Sequence, residues 1–569
     1  MKKMKKLLGF VLALAMVLGL TVTSFAASGN YTITINNTTS GYTYAAYQVF
    51  DGDLSTDAKI LSNVSWGDGV DGDALLKDLK EDTDTTKIVD ADSDGTKDKT
   101  VAELFANCTD AADVAEILST YNTNNDLAEA FAEIAAKKLS TTTSSNCIDN
   151  ATANGTYTIS GLDAGYYLVK TTVVPNNGTH SNYILKVTDN VTVDTKSETL
   201  TIDKAVGDED TSNDDSTEDY DLGDDVPFTL TATLPSDYAD YSTYKLTFHD
   251  TLSTGLFFNN NVVVTVYANG TDTTGTEVKS GYTVEQTGLT DGCSFEVQIV
   301  DTNSLMDSSG DAISVTKDST IVVTYTAKLN DGATSVEDND VYLEYTNSPY
   351  DSGTGTTTHD KTYVVTFTLN VDKTDGTNAL DGAGFTLYKA EQVTVDDTSF
   401  DPATTTYYII SSGKWIQVAT DATYDSRETY YVYNAVGGEK TGGTSFAFSG
   451  LATGYYKLVE TTTPSGYNTA DDLYFTLEAV TVEDSTDSSG VRVDSITVKD
   501  AAGNVISGTG ATFTVSVTGK SLNTTVVNNA GSSLPSTGGI GTTLFYIIGG
   551  ILVVGAAVVL VTRRRMRRA

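Results

Sequence analysis

Two lysines of this 569-residue chain stand where a lysine is costly. Alternate side chains of an extended strand share a face, so Leu200, Ile202, Lys204 and Val206 form one row, and Phe367, Leu369, Val371 and Lys373 form another. The same alternation places Asp250 with Leu246 and Phe248, and Glu460 with Tyr456 and Leu458. Asn347 continues the row Val341, Leu343, Tyr345, and Asn528 continues Leu522, Thr524, Val526. Asn529 is the neighbouring alternative, and alternation favours Asn528. Two stretches thus each carry, in chain order, an inward Lys, an inward acid and an inward Asn.

Such a trio can do chemistry on itself. A desolvated lysine sheds its proton, whereas a buried carboxyl keeps one. The neutral amine is then a nucleophile, and the protonated acid can polarise the Asn carbonyl and shuttle protons as ammonia leaves. The product is a Lys–Asn amide, with Asp250 and Glu460 as catalysts of a single turnover. One inward Lys or Asn near a strand end is ordinarily a solvated group. The repetition of the ordered trio is what points to chemistry.

Other catalytic signals are missing, and neither an enzyme of many turnovers nor a cofactor is expected. His180, His249 and His359 lack metal-ligand spacing. Asp90-x-Asp92-x-Asp94-Gly95 opens like a calcium loop, but its twelfth position is Val101 instead of a bidentate Glu. An acidic turn is expected there and no metal site.

The elements that must position the trios are strands. The chain is rich in Thr, Val and Tyr, alternates apolar and polar residues, and is punctuated by Gly, Asn and Asp turns, the pattern of antiparallel sandwiches. A helical interlude, Ala102 through Lys138, carries Leu104, Ala115, Ile117, Leu118, Leu127, Phe131 and Ile134 at helix-like spacing. The segment Ser160-Gly161-Leu162-Asp163-Ala164-Gly165-Tyr166-Tyr167-Leu168-Val169-Lys170 recurs from Ser449 to Glu460. Such a repeat argues for related folds at the two ends of the region. The expectation is a mostly β chain of tandem immunoglobulin-like sandwiches. Its domains fall at 28–195 (with the helical insertion), 197–366 and 367–530.

Both termini carry addresses. Lys2, Lys3, Lys5 and Lys6 precede an apolar core, Leu7 to Leu20, and Ser24-Phe25-Ala26 ends a signal peptide over 1–26. Near the other end, Leu534-Pro535-Ser536-Thr537-Gly538 precedes an apolar run from Ile540 to Thr562, followed by Arg563, Arg564, Arg565, Arg567 and Arg568. A run of that length spans a bilayer, and arginines hold its end in the cytoplasm. The net charge is −41. Without the four leader lysines and five tail arginines, 26 basic residues face 76 acidic ones, a net of −50. That surface repels nucleic acid. Only three cysteines occur, too few for a disulfide framework. Cys108 and Cys147 share one segment and are a candidate pair, while Cys293 reads as a buried thiol.

The order of these features resembles a known family. The pentapeptide, apolar helix and Arg tail over 534–569 are similar to the LPxTG signal of sortase substrates, which implies cleavage between Thr537 and Gly538. Val371-Asp372-Lys373, followed by Leu380 to Lys389, resembles the opening of collagen-adhesin B-type domains. Gly454 to Thr461, continuing to Pro464-Ser465-Gly466-Tyr467, resembles the E-box of Gram-positive pilins. Phe248-His249-Asp250-Thr251-Leu252 and Leu343 to Pro349 resemble the middle domain of shaft pilins, and Tyr47-Gln48-Val49-Phe50 with Trp66-Gly67 the first.

The resemblance implies a backbone pilin with Lys204–Asn347 and Lys373–Asn528 isopeptide bonds, secreted and anchored in the cell wall. Its first domain departs from the pattern. Lys170 stands where the E-box acid would be, and the strand Tyr31 to Asn37 has no lysine. No such bond is expected there. Val191-Thr192-Val193-Asp194-Thr195-Lys196 resembles the pilin motif, with Asp194-Thr195 in place of Tyr-Pro. Lys196, on the outward face, is the expected acceptor of the Thr537 carbonyl. Implied partners are pilin-specific and housekeeping sortases, identical subunits head to tail, peptidoglycan and minor pilins. A non-polymerised wall-anchored adhesin would share the signal, sorting motif and internal bonds but need no acceptor lysine, and a minor pilin would depart from the three-domain plan.

Overall fold

A computed structural model describes residues 31–531 and 540–567, except 56–60, 84–85, 92–95, 122–124, 142–144, 149–154, 177, 195–199, 208–215, 236, 270–271, 273 and 350–352. The chain forms two compact units, one of residues up to 365 together with 481–492, the other of 366–480 with the remainder.

In the first unit, strand pairing closes separately within 31–194 and 201–365. Strand β1 (Tyr31–Asn36) lies between β3 (Thr156–Leu162), antiparallel, and β6 (Val191–Asp194), parallel. Its Ile33 and Ile35 are fully buried. Opposite lies a sheet in which β2 (Thr43–Leu54), β4 (Gly165–Val173) and β5 (Asn182–Val187) are successive neighbours. The helical interlude becomes α2 (Val101–Phe105), α3 (Ala111–Thr120) and α4 (Asn125–Ala136). Thr100 and Glu103 cap α2 reciprocally.

One helix was not expected, α1 (Gly72–Glu81). Asp71 caps it by accepting from the Ala74 N–H, and Leu75 and Leu79, one turn apart, are buried. Those signals are present in the sequence, but ten residues with two apolar anchors are faint beside the longer run downstream.

The middle sandwich faces one sheet against another. The first contains β7 (Thr201–Val206), β8 (Asp225–Thr233) and β11 (Thr320–Leu329) as neighbours. The second contains β10 (Phe295–Ile299), β9 (Leu246–Leu252), β12 (Val336–Thr346) and β13 (Asp360–Val365), in that order. Burial alternates strictly along β12, so Glu337, Asn339, Val341, Leu343 and Tyr345 all point inward.

The second unit repeats the plan. Strand β14 (Phe367–Thr374) pairs antiparallel with β16 (Ser445–Leu451) and parallel with β19 (Ser521–Val527), the last strand. The facing sheet contains β15 (Gly384–Val393), β17 (Gly454–Thr462) and β18 (Leu473–Glu483) as neighbours. Helix α5 (Ile540–Met566) is long and apolar enough over Leu544–Met566 to cross a membrane, its most apolar 18 residues having a mean hydropathy of 2.8.

Helix α4 meets strand β2 through an aromatic contact, Phe131 stacked on Phe50 at 5.8 Å. Both rings are 1% exposed, so Phe131→Ala should cost about 3–5 kcal/mol. The helical far-ultraviolet signal of the variant should melt well below wild type; an unchanged melting temperature would show that the insertion does not depend on this packing.

Candidate cross-linking sites

In the middle sandwich, β7, β9, β11 and β12 aim polar side chains at one dry spot. Lys204 and Asp250 side chains are both 0% exposed. The lysine amine donates to Asp250 Oδ2 at 2.6 Å, and the Tyr325 hydroxyl donates to the same oxygen at 2.9 Å. Asn339 Nδ2 donates to that hydroxyl at 2.7 Å, which itself lies 3.5 Å from the lysine amine. Asp250 Oδ1 and Asn339 Oδ1 are buried without a hydrogen-bond partner. Burial pushes the Lys204 amine below the ordinary lysine range, more strongly than Asp250 raises it. Burial likewise pushes the Asp250 carboxyl up, against the pull of Lys204 and Tyr325.

The amide at this spot is Asn339, and the expectation of Asn347 is corrected. Both face inward, so strand parity cannot choose between them. Register can. Asp250 lies opposite Val341 on β12. Asn339 is two residues from that point, whereas Asn347 is six, about 20 Å along a strand. Asn347 sits past the paired end of β9, where its N–H donates to Gly353 and its carbonyl accepts from His180.

In the second unit the three expected residues do meet. Lys373, Glu460 and Asn528 are 1%, 5% and 1% exposed. Lys373 is paired with Val526 across the parallel β14–β19 ladder, and Asn528 follows β19 directly. Asn528 Nδ2 donates to both Glu460 oxygens, at 2.8 and 2.9 Å. The lysine amine stands 4.0 Å from Glu460 Oε1 and donates to the carbonyls of Thr374 and Val526 at 3.1 and 3.3 Å. Burial lowers the Lys373 amine more than Glu460 and Asp375 raise it. Asn528 is sealed while Asn529 is exposed.

Elsewhere the expected residues fare differently. In the first domain Lys170 is half-buried on β4, opposite Asn182. Cys108 is a free thiol packed in the helical core, where burial pushes it up to about 11. The Cys108–Cys147 disulfide is therefore not formed in this structure. Cys147 lies on a short strand whose backbone pairs with Tyr44 of β2, and its side chain is outside the described residues. Cys293 is only half-buried, in the loop before β10, and not in a strand core. Lys196, the pentapeptide Leu534 to Gly538, and Asp92 and Asp94 lie outside the described residues. On β6, Val191 and Val193 pack against the core while Thr192 and Asp194 are exposed.

Comparison with known proteins adds two matches. Residues 367–489 match the model of the SpaA prealbumin-like fold domain, and residues 526–566 match the LPXTG cell wall anchor motif. The second match, together with the apolar helix it contains, marks a cell-wall-anchored surface protein. No curated protein matches this chain in sequence. Among solved structures, the major pilin SpaD of Corynebacterium diphtheriae is 17% identical, covering 88% of this chain and 98% of its own, with a TM-score of 0.44. The T6 backbone pilin of serotype M6 Streptococcus pyogenes is 16% identical, covering 90% and 100%, with a TM-score of 0.48. BcpA, the major pilin subunit of Bacillus cereus, is 13% identical, covering 88% and 100%, with a TM-score of 0.34.

The pair in the middle sandwich makes a pH prediction. Lys204→Met leaves Asp250 buried alone, with its pKa raised above the unfolded value. The unfolded chain then loses its proton first as pH rises. Stability should be full below about pH 4 and fall by up to about 1.4 kcal/mol per pH unit until the folded-state pKa is passed. Urea unfolding of Lys204→Met beside Lys204→Met/Asp250→Asn isolates this slope. Parallel pH profiles for the two would mean that Asp250 is not held protonated.

Proposed function

We propose that this chain is the shaft subunit of a covalent surface pilus. In this reading its two C-terminal sandwiches seal themselves by Lys204–Asn339 and Lys373–Asn528 amide bonds. The carrying observation is the convergence, in each sandwich, of a buried lysine, a buried carboxyl and a buried asparagine amide.

The chemistry follows from burial. Neutral Lys373 attacks Cγ of Asn528, the C–Nδ2 bond breaks, and Glu460 passes a proton from Nζ to the departing ammonia. The Glu460 carboxyl already touches Nδ2, which favours protonation of the leaving group. In the middle sandwich the acid does not touch the amide. Tyr325 stands between Asp250 and Asn339 and supplies the relay. Each reaction conserves atoms, lysine plus asparagine giving one amide and one ammonia. Asp250 and Glu460 act once, so the chain is a structural protein and not an enzyme.

Polymerisation uses the two segments beyond the sandwiches. A sortase cleaves after Thr537 and passes its carbonyl to Lys196 of the next subunit; a last transfer joins the fibre to peptidoglycan. The SpaA-type domain and the anchor motif support this reading.

Intact mass of the secreted protein tests the internal bonds. Wild type should be lighter than its sequence by two ammonia. Lys204→Ala, Asn339→Ala, Lys373→Ala and Asn528→Ala should each regain one, and Asn347→Ala none. A wild-type mass equal to the sequence would reduce the trios to ordinary core residues. Polymerisation has its own test: cells carrying Lys196→Ala should lose the ladder of linked subunits, and a persisting ladder would assign the acceptor to another lysine.

A further inference from the structure

The outer face of the β9–β10–β12 sheet, opposite Asp250, carries four side chains that neither cross-linking nor polymerisation uses. They are His249 on β9, Asp291 and Cys293 in the loop before β10, and Glu296 on β10. One ligand atom from each lies within 4.8 Å of the other three. We propose that they form a zinc-class site that staples this loop to the sheet, independently of the function proposed above.

Three features support a cation. First, four ligand groups converge on one another. Asp291 Oδ2 and Glu296 Oε1 lie 2.8 and 3.3 Å from the same nitrogen, His249 Nδ1, and the Cys293 thiol is 3.8 Å from that Glu296 oxygen. A divalent cation that displaced the imidazole and thiol protons would hold all four groups at once, in place of the separate hydrogen bonds that now link them.

Second, both carboxylates are already oriented from behind, as metal ligands are, and the imidazole is held by stacking. Tyr342 donates its hydroxyl to Asp291 Oδ2 at 2.6 Å, and the Cys293 N–H donates to Asp291 Oδ1 at 3.2 Å. Gln298 Nε2 donates to Glu296 Oε2 at 2.5 Å, leaving Oε1 to face the cluster. The His249 ring is 8% exposed and stacks on Tyr342 at 4.5 Å and 4°. Its Nε2 is buried without a partner, so Nδ1 is the nitrogen presented.

Third, the size is right. Zinc–ligand bonds of about 2.0–2.3 Å set tetrahedral ligand atoms about 3.3–3.8 Å apart. The cluster needs to contract by only about 1 Å from its widest separation. A donor set of one nitrogen, one sulfur and two oxygens suits Zn²⁺, whereas Ca²⁺ takes six to eight oxygens.

The acidic surface will bind divalent cations loosely anywhere, so the test must see sulfur. The full chain in detergent, stripped with a chelator, is titrated with Co²⁺ and then Zn²⁺. Wild type should bind one Co²⁺ with an intense near-ultraviolet thiolate-to-cobalt absorption that Zn²⁺ abolishes. Cys293→Ser, a near-isosteric change, should lose that band. Glu296→Gln should keep it but bind Zn²⁺ about tenfold or more weakly. Absence of the band from folded wild type would overturn the site. So would equal Zn²⁺ affinity in wild type and His249→Gln/Cys293→Ser.

Discussion

Everything distinctive in this chain depends on taking a lysine amine out of water beside a carboxyl. As an ion pair in a dry core the two would be expensive, and removing either partner alone leaves a buried charge worth about 3–5 kcal/mol of instability. Burial moves both groups toward neutrality, Lys204 and Lys373 downward and Asp250 upward. A neutral amine is what an amide needs as attacker. The feature that makes the core awkward is therefore the one that would make it reactive in the proposed cross-linking.

Such a device constrains the sheets around it. A one-residue slip of β7 or β14 would turn its lysine to solvent and its charge neighbours inward. Register is held in the middle sandwich by a nine-residue ladder between β8 and β11 and by the Lys204 N–H donating to Asp360 Oδ2 at 2.7 Å. In the second unit the parallel β14–β19 ladder aligns first strand with last over seven residues. The covalent tie proposed across that ladder would resist shear where hydrogen bonds would yield one by one, in a chain with only three cysteines.

The buried lysines and acids were legible because alternation alone decides a strand residue's face, and an apolar row containing Lys or Asp is visible without a partner strand. The middle asparagine was not legible in that way. Five inward positions follow one another on β12, and both Asn339 and Asn347 fit their parity. Only the pairing of Asp250 with Val341 separates them, and register between distant strands is not written in either strand. Tyr325 was missed for the same reason, since an inward tyrosine in an apolar row looks like core. The His249 cluster escaped because its ligands come from a cross-strand pair and a loop, with no fixed spacing to betray them.

The two sandwiches solve one geometric problem with different acids. In the second unit Glu460 reaches the amide directly, with both carboxyl oxygens within 2.9 Å of Asn528 Nδ2. Asp250 is one methylene shorter, and its contacts end at Lys204 and Tyr325. The phenol supplies the missing length: its oxygen accepts from Asn339 Nδ2 and donates to Asp250. For the proposed cross-link a shorter acid would thus need a second proton carrier, and a hydroxyl that both donates and accepts is the simplest group that can be one. Tyr325 is completely enclosed, and burial with the neighbouring Asp250 carboxyl holds its proton on well above the ordinary tyrosine range. In the proposed reaction it would pass a proton along without surrendering one, as a relay between acid and leaving amide requires.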